Sequence, residues 1–80
     1  MIIINENEIA RCVRNAVEGY FNDLEGEKPH PIYDLVISSV EKPLIEMVIE
    51  QAGGNQTRAA EVLGINRNTL RKKMKQYQIK

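Results

Sequence analysis

An all-α chain that closes on a helix-turn-helix is the fold class the sequence predicts, on three observations. Apolar residues recur at intervals of three and four from Ile9 to Leu24 and again from Ile32 to Ala52, which is the spacing of a helix face and not of a strand. Gly54-Asn55 and Gly64-Ile65-Asn66 punctuate the last third with the residues that stop one helix and cap the next. Positive charge gathers in that same third. Residues 55–80 hold seven basic side chains against the single acid Glu61, a net of +6, whereas residues 1–54 hold four basic and ten acidic ones, a net of −6. The formal net charge of zero is therefore a cancellation, and it hides a polyanion-seeking end that a whole-chain pI does not reveal.

The first helix is expected to start near Glu6, with Asn5 and Glu8 spaced as a capping box. Ile9, Val13, Ala16, Val17, Tyr20, Phe21 and Leu24 form its apolar stripe, and Gly26 is its natural stop. Glu27-Lys28-Pro29-His30-Pro31 breaks the pattern, because each proline pushes the residue before it out of helical conformation. Pro31 also suits the opening turn of the next helix.

That second helix, Ile32 to Ala52, is apolar on two sides. Tyr33, Val36, Ile37, Val40, Leu44, Met47 and Val48 trace one, and Leu35, Ile45 and Ile49 trace the other. A helix apolar on two sides is buried on two sides, and in a chain with so few helices the second side is expected to meet another copy of itself. Val36, Val40, Leu44, Met47 and Val48 are the candidate dimer contacts. Pro43 removes a backbone donor inside the pattern and is expected to bend the helix without ending it. Gly53-Gly54 closes it, Asn55 caps a short helix from Gln56 to Leu63, and Asn66 caps a last one from Arg67 to about Tyr77.

Composition narrows the function classes. At 80 residues with 42% hydrophobic and 28% charged side chains the chain is a single globular domain of a size that often needs a partner subunit. It divides into a short N-terminal segment (1–8), dimerisation helices (9–53) and the helix-turn-helix region (54–80). One cysteine excludes an internal disulfide, no paired Cys/His spacing suits a metal, and the Ile2–Ile4 run is too short for a signal or a membrane span. The expectation is a cytoplasmic protein without cofactor, metal, small-molecule substrate or membrane partner. No catalytic residue is expected either. His30 stands between prolines with no nucleophile beside it, Cys12 reads as a small, partly buried hydrophobe, and Tyr20, Phe21 and Tyr33 read as core and not as a base-stacking platform. Ile2–Ile4 has strand character but is expected to fray.

The last helix carries the chemistry. Leu70 and Met74 anchor it, which leaves Arg67, Arg71, Lys72 and Lys75 outward with Asn68 and Thr69 near its start. A helix fits the major groove of duplex DNA, where Arg forks to guanine, Asn pairs with adenine, and Lys and Thr hold phosphates. The start of the preceding helix, Gly54-Asn55-Gln56-Thr57, offers free N–H groups to a phosphate. Arg71-Lys72-Lys73 alone reads equally well as a solvated helix end favoured by the macrodipole. Joined to the Ala60, Gly64 and Ile65 spacing and to the polar residues at the helix start, it favours double-stranded DNA.

The stretch from Gly54 to Ala60 and then from Leu63 to Lys73 resembles the helix-turn-helix of the bacterial Fis family (factor for inversion stimulation), a block that also ends many activators of the NtrC type. Val13 to Phe21, Tyr33 to Val36 and Val40 to Val48, with its internal proline, resemble the Fis family alone. The resemblance implies four helices per chain, the first two interlaced with those of a second subunit and a helix-turn-helix at each end. It implies a nucleoid-associated regulator that bends DNA and acts on transcription, with RNA polymerase as a possible further partner. By the same likeness Asn66 and Arg67 match base contacts, Asn55, Thr57, Thr69, Arg71 and Lys72 match DNA backbone contacts, and Lys73 and Lys75 match residues near flanking DNA.

Three departures stand out. About eight residues precede the first helix, too few for the β-hairpin arm with which some relatives activate recombinases, so recombinase stimulation is not expected. Gly53 and Gln76 stand where relatives often carry a basic residue, and Asn68 stands where a small one is common. Two other readings fit the same residues: the DNA-binding end of a larger NtrC-type activator, and a dimerisation or adaptor module whose basic helix binds an acidic protein.

Overall fold

A computed structural model describes residues 6–29 and 31–80. Four helices follow one another in it: α1 (Glu6–Asp23), α2 (Ile32–Gln51), α3 (Gln56–Leu63) and α4 (Arg67–Gln76). No strand occurs among the described residues, so the all-α class stands. The Asn5 cap, the Ile2–Ile4 segment and His30 lie outside the described residues. The chain divides into two units, Met1–Val36 and Ile37–Lys80.

The first unit is α1, the breaker after it and the opening turn of α2. α1 is amphipathic, with Val13, Val17, Tyr20 and Leu24 half-buried along one stripe. It ends in a turn, where the Leu24 N–H donates to the Phe21 carbonyl at 3.3 Å and the Glu27 N–H to that of Leu24 at 2.9 Å. Glu25 and Gly26 both take left-handed backbone there. The Tyr20 and Phe21 rings meet edge to face with centroids 5.8 Å apart, a favoured aromatic geometry. Burial corrects the sequence here: Cys12, Phe21 and Tyr33 are exposed, Tyr33 by as much as 74%. One helix and a turn of the next carry too little apolar surface to close over them.

The second unit holds the core. Ile45 and Ile49 from α2, Ala59 and Ala60 from α3, and Leu70 and Met74 from α4 form one buried cluster. Ile45 and Leu70 are its largest fully enclosed side chains, each contributing roughly 1.5–3 kcal/mol by leaving water. Val48, Ala52, Leu63, Ile65, Tyr77 and Ile79 pack around it. The four-residue spacing of Ile45 and Ile49, and of Leu70 and Met74, puts each pair on one helix face. The alanines of α3 have no side chain beyond Cβ, which lets the other helices approach its backbone.

α2 runs unbroken through Pro43. It ends where the Gly54 N–H reaches back to the Ile49 carbonyl and the Gly53 N–H to that of Glu50, both at 3.0 Å. The closure requires left-handed backbone, and Gly53 supplies it with φ 64°.

Leu70→Ala should cost about 2–5 kcal/mol, since it opens a cavity against two alanines that cannot expand to fill it. Denaturant unfolding measures this, and a loss below about 1 kcal/mol would contradict the central place given to Leu70.

Candidate nucleic-acid interface

α3 and α4 pack together and are joined by Gly64, Ile65 and Asn66 alone. The turn is fixed by two backbone bonds. The Gly64 N–H donates to the Glu61 carbonyl at 3.1 Å and the Ile65 N–H to the Ala60 carbonyl at 3.0 Å. Between them Gly64 sits at φ 75°, ψ 28°, a conformation open to glycine at little cost. The reversal turns Ile65 onto the core and sets Asn66 at the head of α4.

The caps expected for α3 and α4 both form. Asn55 Oδ1 accepts from the Arg58 N–H at 3.1 Å, and Asn66 Oδ1 accepts from the Asn68 N–H at 2.7 Å. Each asparagine has extended backbone and satisfies one of the donors that a helix start leaves open. Capping also orients the rest of the side chain: with Oδ1 turned to the helix, the Nδ2 group of each remains to donate outward.

The cationic side chains divide by exposure. Arg58, Arg67, Arg71, Lys72 and Lys75 are exposed, as are Asn55, Thr57, Asn66, Asn68 and Thr69. On α4, Lys72 stands two residues past buried Leu70 and so occupies the side remote from the core, with Asn68 and Lys75 flanking it. Arg67 is the first residue of the helix and leads its N-terminal tip. Ten residues at 1.5 Å each make α4 about 15 Å long, a rod of a size that fits a major groove roughly 12 Å wide. Asn55 and Thr57 line an open depression of about 450 Å³ that runs along α3 with Arg58, Glu61 and Val62.

Lys73 differs from the others. Its ammonium lies 2.8 Å from Glu41 Oε2, and the Tyr77 hydroxyl donates to Glu41 Oε1. One carboxylate of α2 thus holds Lys73 of α4 and, a turn further on, its C-cap residue Tyr77. The bond from Lys73 and then that from Tyr77 hold the Glu41 carboxyl below its ordinary value of 4.5, and the charge of Lys73 adds to them. Sequence reading missed Glu41 and the hydroxyl of Tyr77. They lie 32 and 36 positions from their partners, and no local pattern signals such a pairing.

The expected dimer residues also divide. Val40, Leu44 and Met47 are exposed, Met47 by 64%, and Val36 is half-buried. Val48 is half-buried and packs against the core formed with α3 and α4. Exposed Ile37 joins the uncovered apolar positions of α2.

Residues 36–77, which include all of this site, match the family described as bacterial regulatory protein, Fis family. The chain belongs to the Fis family. It is 50% identical over 74 residues to a Fis-like DNA-binding protein of Ralstonia nicotianae, an alignment covering 92% of this chain and 96% of that one. A Fis-like DNA-binding protein of Neisseria meningitidis is 53% identical over 70 residues, 88% of this chain and 89% of its own. The DNA-binding protein Fis of Psychromonas ingrahamii is 50% identical over 74 residues, 92% of this chain and 75% of its own. The family resemblance seen in the helix-turn-helix thus extends over nearly the whole chain. Among the described residues no helix is long and apolar enough to cross a membrane.

Glu41→Gln should change how stability depends on pH. A carboxyl held below its ordinary value in the folded chain adds stability that is fully present above 4.5 and is lost as pH falls through the depressed value. Unfolding midpoints of the parent and the variant should therefore differ at neutral pH and converge in acid. A constant gap down to strongly acid pH would show that the charge of Glu41 is not its source.

Proposed function

We propose that this Fis-family chain is a homodimeric DNA-binding and DNA-bending protein, a nucleoid-associated transcription regulator of modest sequence preference. One observation carries the reading: a helix-turn-helix with its cations outward is anchored on one side of α2, while the other side of α2 presents Val40, Leu44 and Met47 uncovered. A second copy covering that side gives two reading heads on one body. The names of the relatives as DNA-binding proteins point the same way.

In this reading Asn66 and Arg67 reach base edges from the tip of α4. Arg67 supplies the two-pronged donor that suits guanine, and Asn66 donates through the amide left free by its cap. Asn55, Thr57, Thr69, Arg71 and Lys72 hold the phosphate backbone, with the start of α3 adding its open N–H groups. Lys73 and Lys75, further along α4, face flanking phosphates. Val36, Val40, Leu44 and Met47 form the subunit contact, with Val48 at its margin.

In this reading bending comes from the spacing of the two heads. Two heads on a rigid body enter successive major grooves, and where their separation falls short of a helical turn the duplex must curve to reach both. Preference then lies partly in how easily the central base pairs deform. The chain acts by binding and positioning DNA and uses no cofactor; contact with RNA polymerase is the route by which such a protein would act on transcription.

Affinity for duplex DNA should fall steeply with salt as counterions are released. Arg67→Ala should cost about 1–3 kcal/mol on a preferred site and flatten sequence preference, whereas Lys72→Ala should weaken all sequences alike. Equal losses for Arg67→Ala on preferred and random duplex would overturn its base-reading role. Absence of salt-sensitive binding in the parent chain would favour an adaptor that binds an acidic protein.

Leu44→Asp, placed in the proposed subunit contact and away from the core of the second unit, should yield monomers by sedimentation. It should also weaken DNA binding severely, because one head alone remains. A Leu44→Asp protein that still sediments as a dimer would remove α2 from the subunit contact.

A further inference from the structure

We propose that Glu41 acts as an internal competitor of DNA for Lys73, withholding one cation from the interface until duplex phosphate displaces it. The inference rests on the DNA-binding reading above and concerns how that interface is regulated.

Six of the seven basic side chains in residues 55–80 are exposed; Lys73 is half-buried, with its ammonium engaged by Glu41 at 2.8 Å. The contact is built on both sides. Glu41 commits one oxygen to Lys73 and the other to the Tyr77 hydroxyl, and these two residues lie one turn apart, on α4 and at its C-cap. Exposure sets the pair between two extremes. The side chains of Lys73 and Glu41 remain 30% and 26% accessible. A pair sealed from water could not exchange partners without leaving a buried charge, and a fully solvated pair would barely hold.

Position decides what can displace the carboxylate. Lys73 follows Arg67 by six residues, about 9 Å along the helix axis. If the tip of α4 reads base edges, Lys73 lies beyond them, and the group that reaches it is a phosphate. Transfer of the ammonium from carboxylate to phosphate exchanges one charge-assisted bond for another. Glu41 is not orphaned by the exchange, because the Tyr77 hydroxyl still donates to it. Duplex held only by the exposed cations therefore gains little from Lys73, while duplex drawn close along the flank recruits it. The device lowers affinity for loosely held DNA and sharpens the distinction between loose and wrapped binding.

The test is a salt titration of binding to a duplex that spans two half-sites and extends about one helical turn, roughly 10 bp, on each side. Glu41→Gln keeps an acceptor for Tyr77 but removes the charge. It should raise affinity about two- to five-fold at low salt, the range measured for partly exposed ion pairs. Adding Lys73→Ala should abolish that gain. Glu46→Gln, the same charge change at an exposed position of α2, should give a gain that simply adds to the effect of Lys73→Ala.

An unchanged affinity for folded Glu41→Gln, or additivity with Lys73→Ala, overturns the proposal while leaving DNA binding intact. Loss of salt-sensitive binding in the parent chain overturns the DNA-binding reading and this inference together. A measurement on the unsubstituted protein guards against a variant that does not fold: the carboxyl carbon resonance of Glu41 should move as the flanked duplex saturates, and one that stays fixed overturns the proposal.

Discussion

Everything in the second unit depends on one helix serving two purposes. Ile45 and Ile49 of α2 close the core over Ala59, Ala60, Leu70 and Met74, so α3 and α4 have no sufficient core without it. The two short helices, eight and ten residues long, bury too little against each other to hold a fixed angle alone. Pinning them to a twenty-residue helix fixes where the tip of α4 points. The same helix keeps Val40, Leu44 and Met47 uncovered, so whatever covers them inherits the orientation of the proposed reading head.

The turn between α3 and α4 shows how local chemistry and packing agree. Gly64 supplies the left-handed residue, Ile65 returns to the core, and Asn66 closes the start of α4 with its own side chain. Each choice would be reasonable by itself, and together they leave few other conformations to the segment. The cap has a chemical consequence as well. An asparagine that satisfies the helix start with Oδ1 presents an oriented donor, which restricts the proposed contact of Asn66 more than its sequence position suggests.

Charge works at two scales. Across the chain it separates into an acidic stretch and a basic one, which a net of zero conceals. At the scale of a single bond it pairs Glu41 with Lys73, so the helix of highest positive density is held to α2 by one of the acids of the acidic stretch. A point charge on a flexible stem can change partners in a way a packed isoleucine cannot. The ion pair, and not the core, is therefore the place where the proposed interface can be regulated.

The sequence by itself determined the helices, their stops, the two asparagine caps, the charge partition and the family, because each is written in residues within a few positions of one another. The start near Glu6, the passage of α2 through Pro43 and the span Gln56–Leu63 all agree with that local reading. Tertiary structure alone decided how apolar positions are shared out. It placed Val48 with the core when its spacing also suited the other side of α2, and it left Phe21, Tyr33 and Cys12 exposed when their patterns suited burial. It also decided that Lys73 and Tyr77 belong to Glu41. Periodicity states which residues share a helix face, but which face meets which, and which charges then come within a bond length, depends on how the helices approach across more than thirty intervening residues.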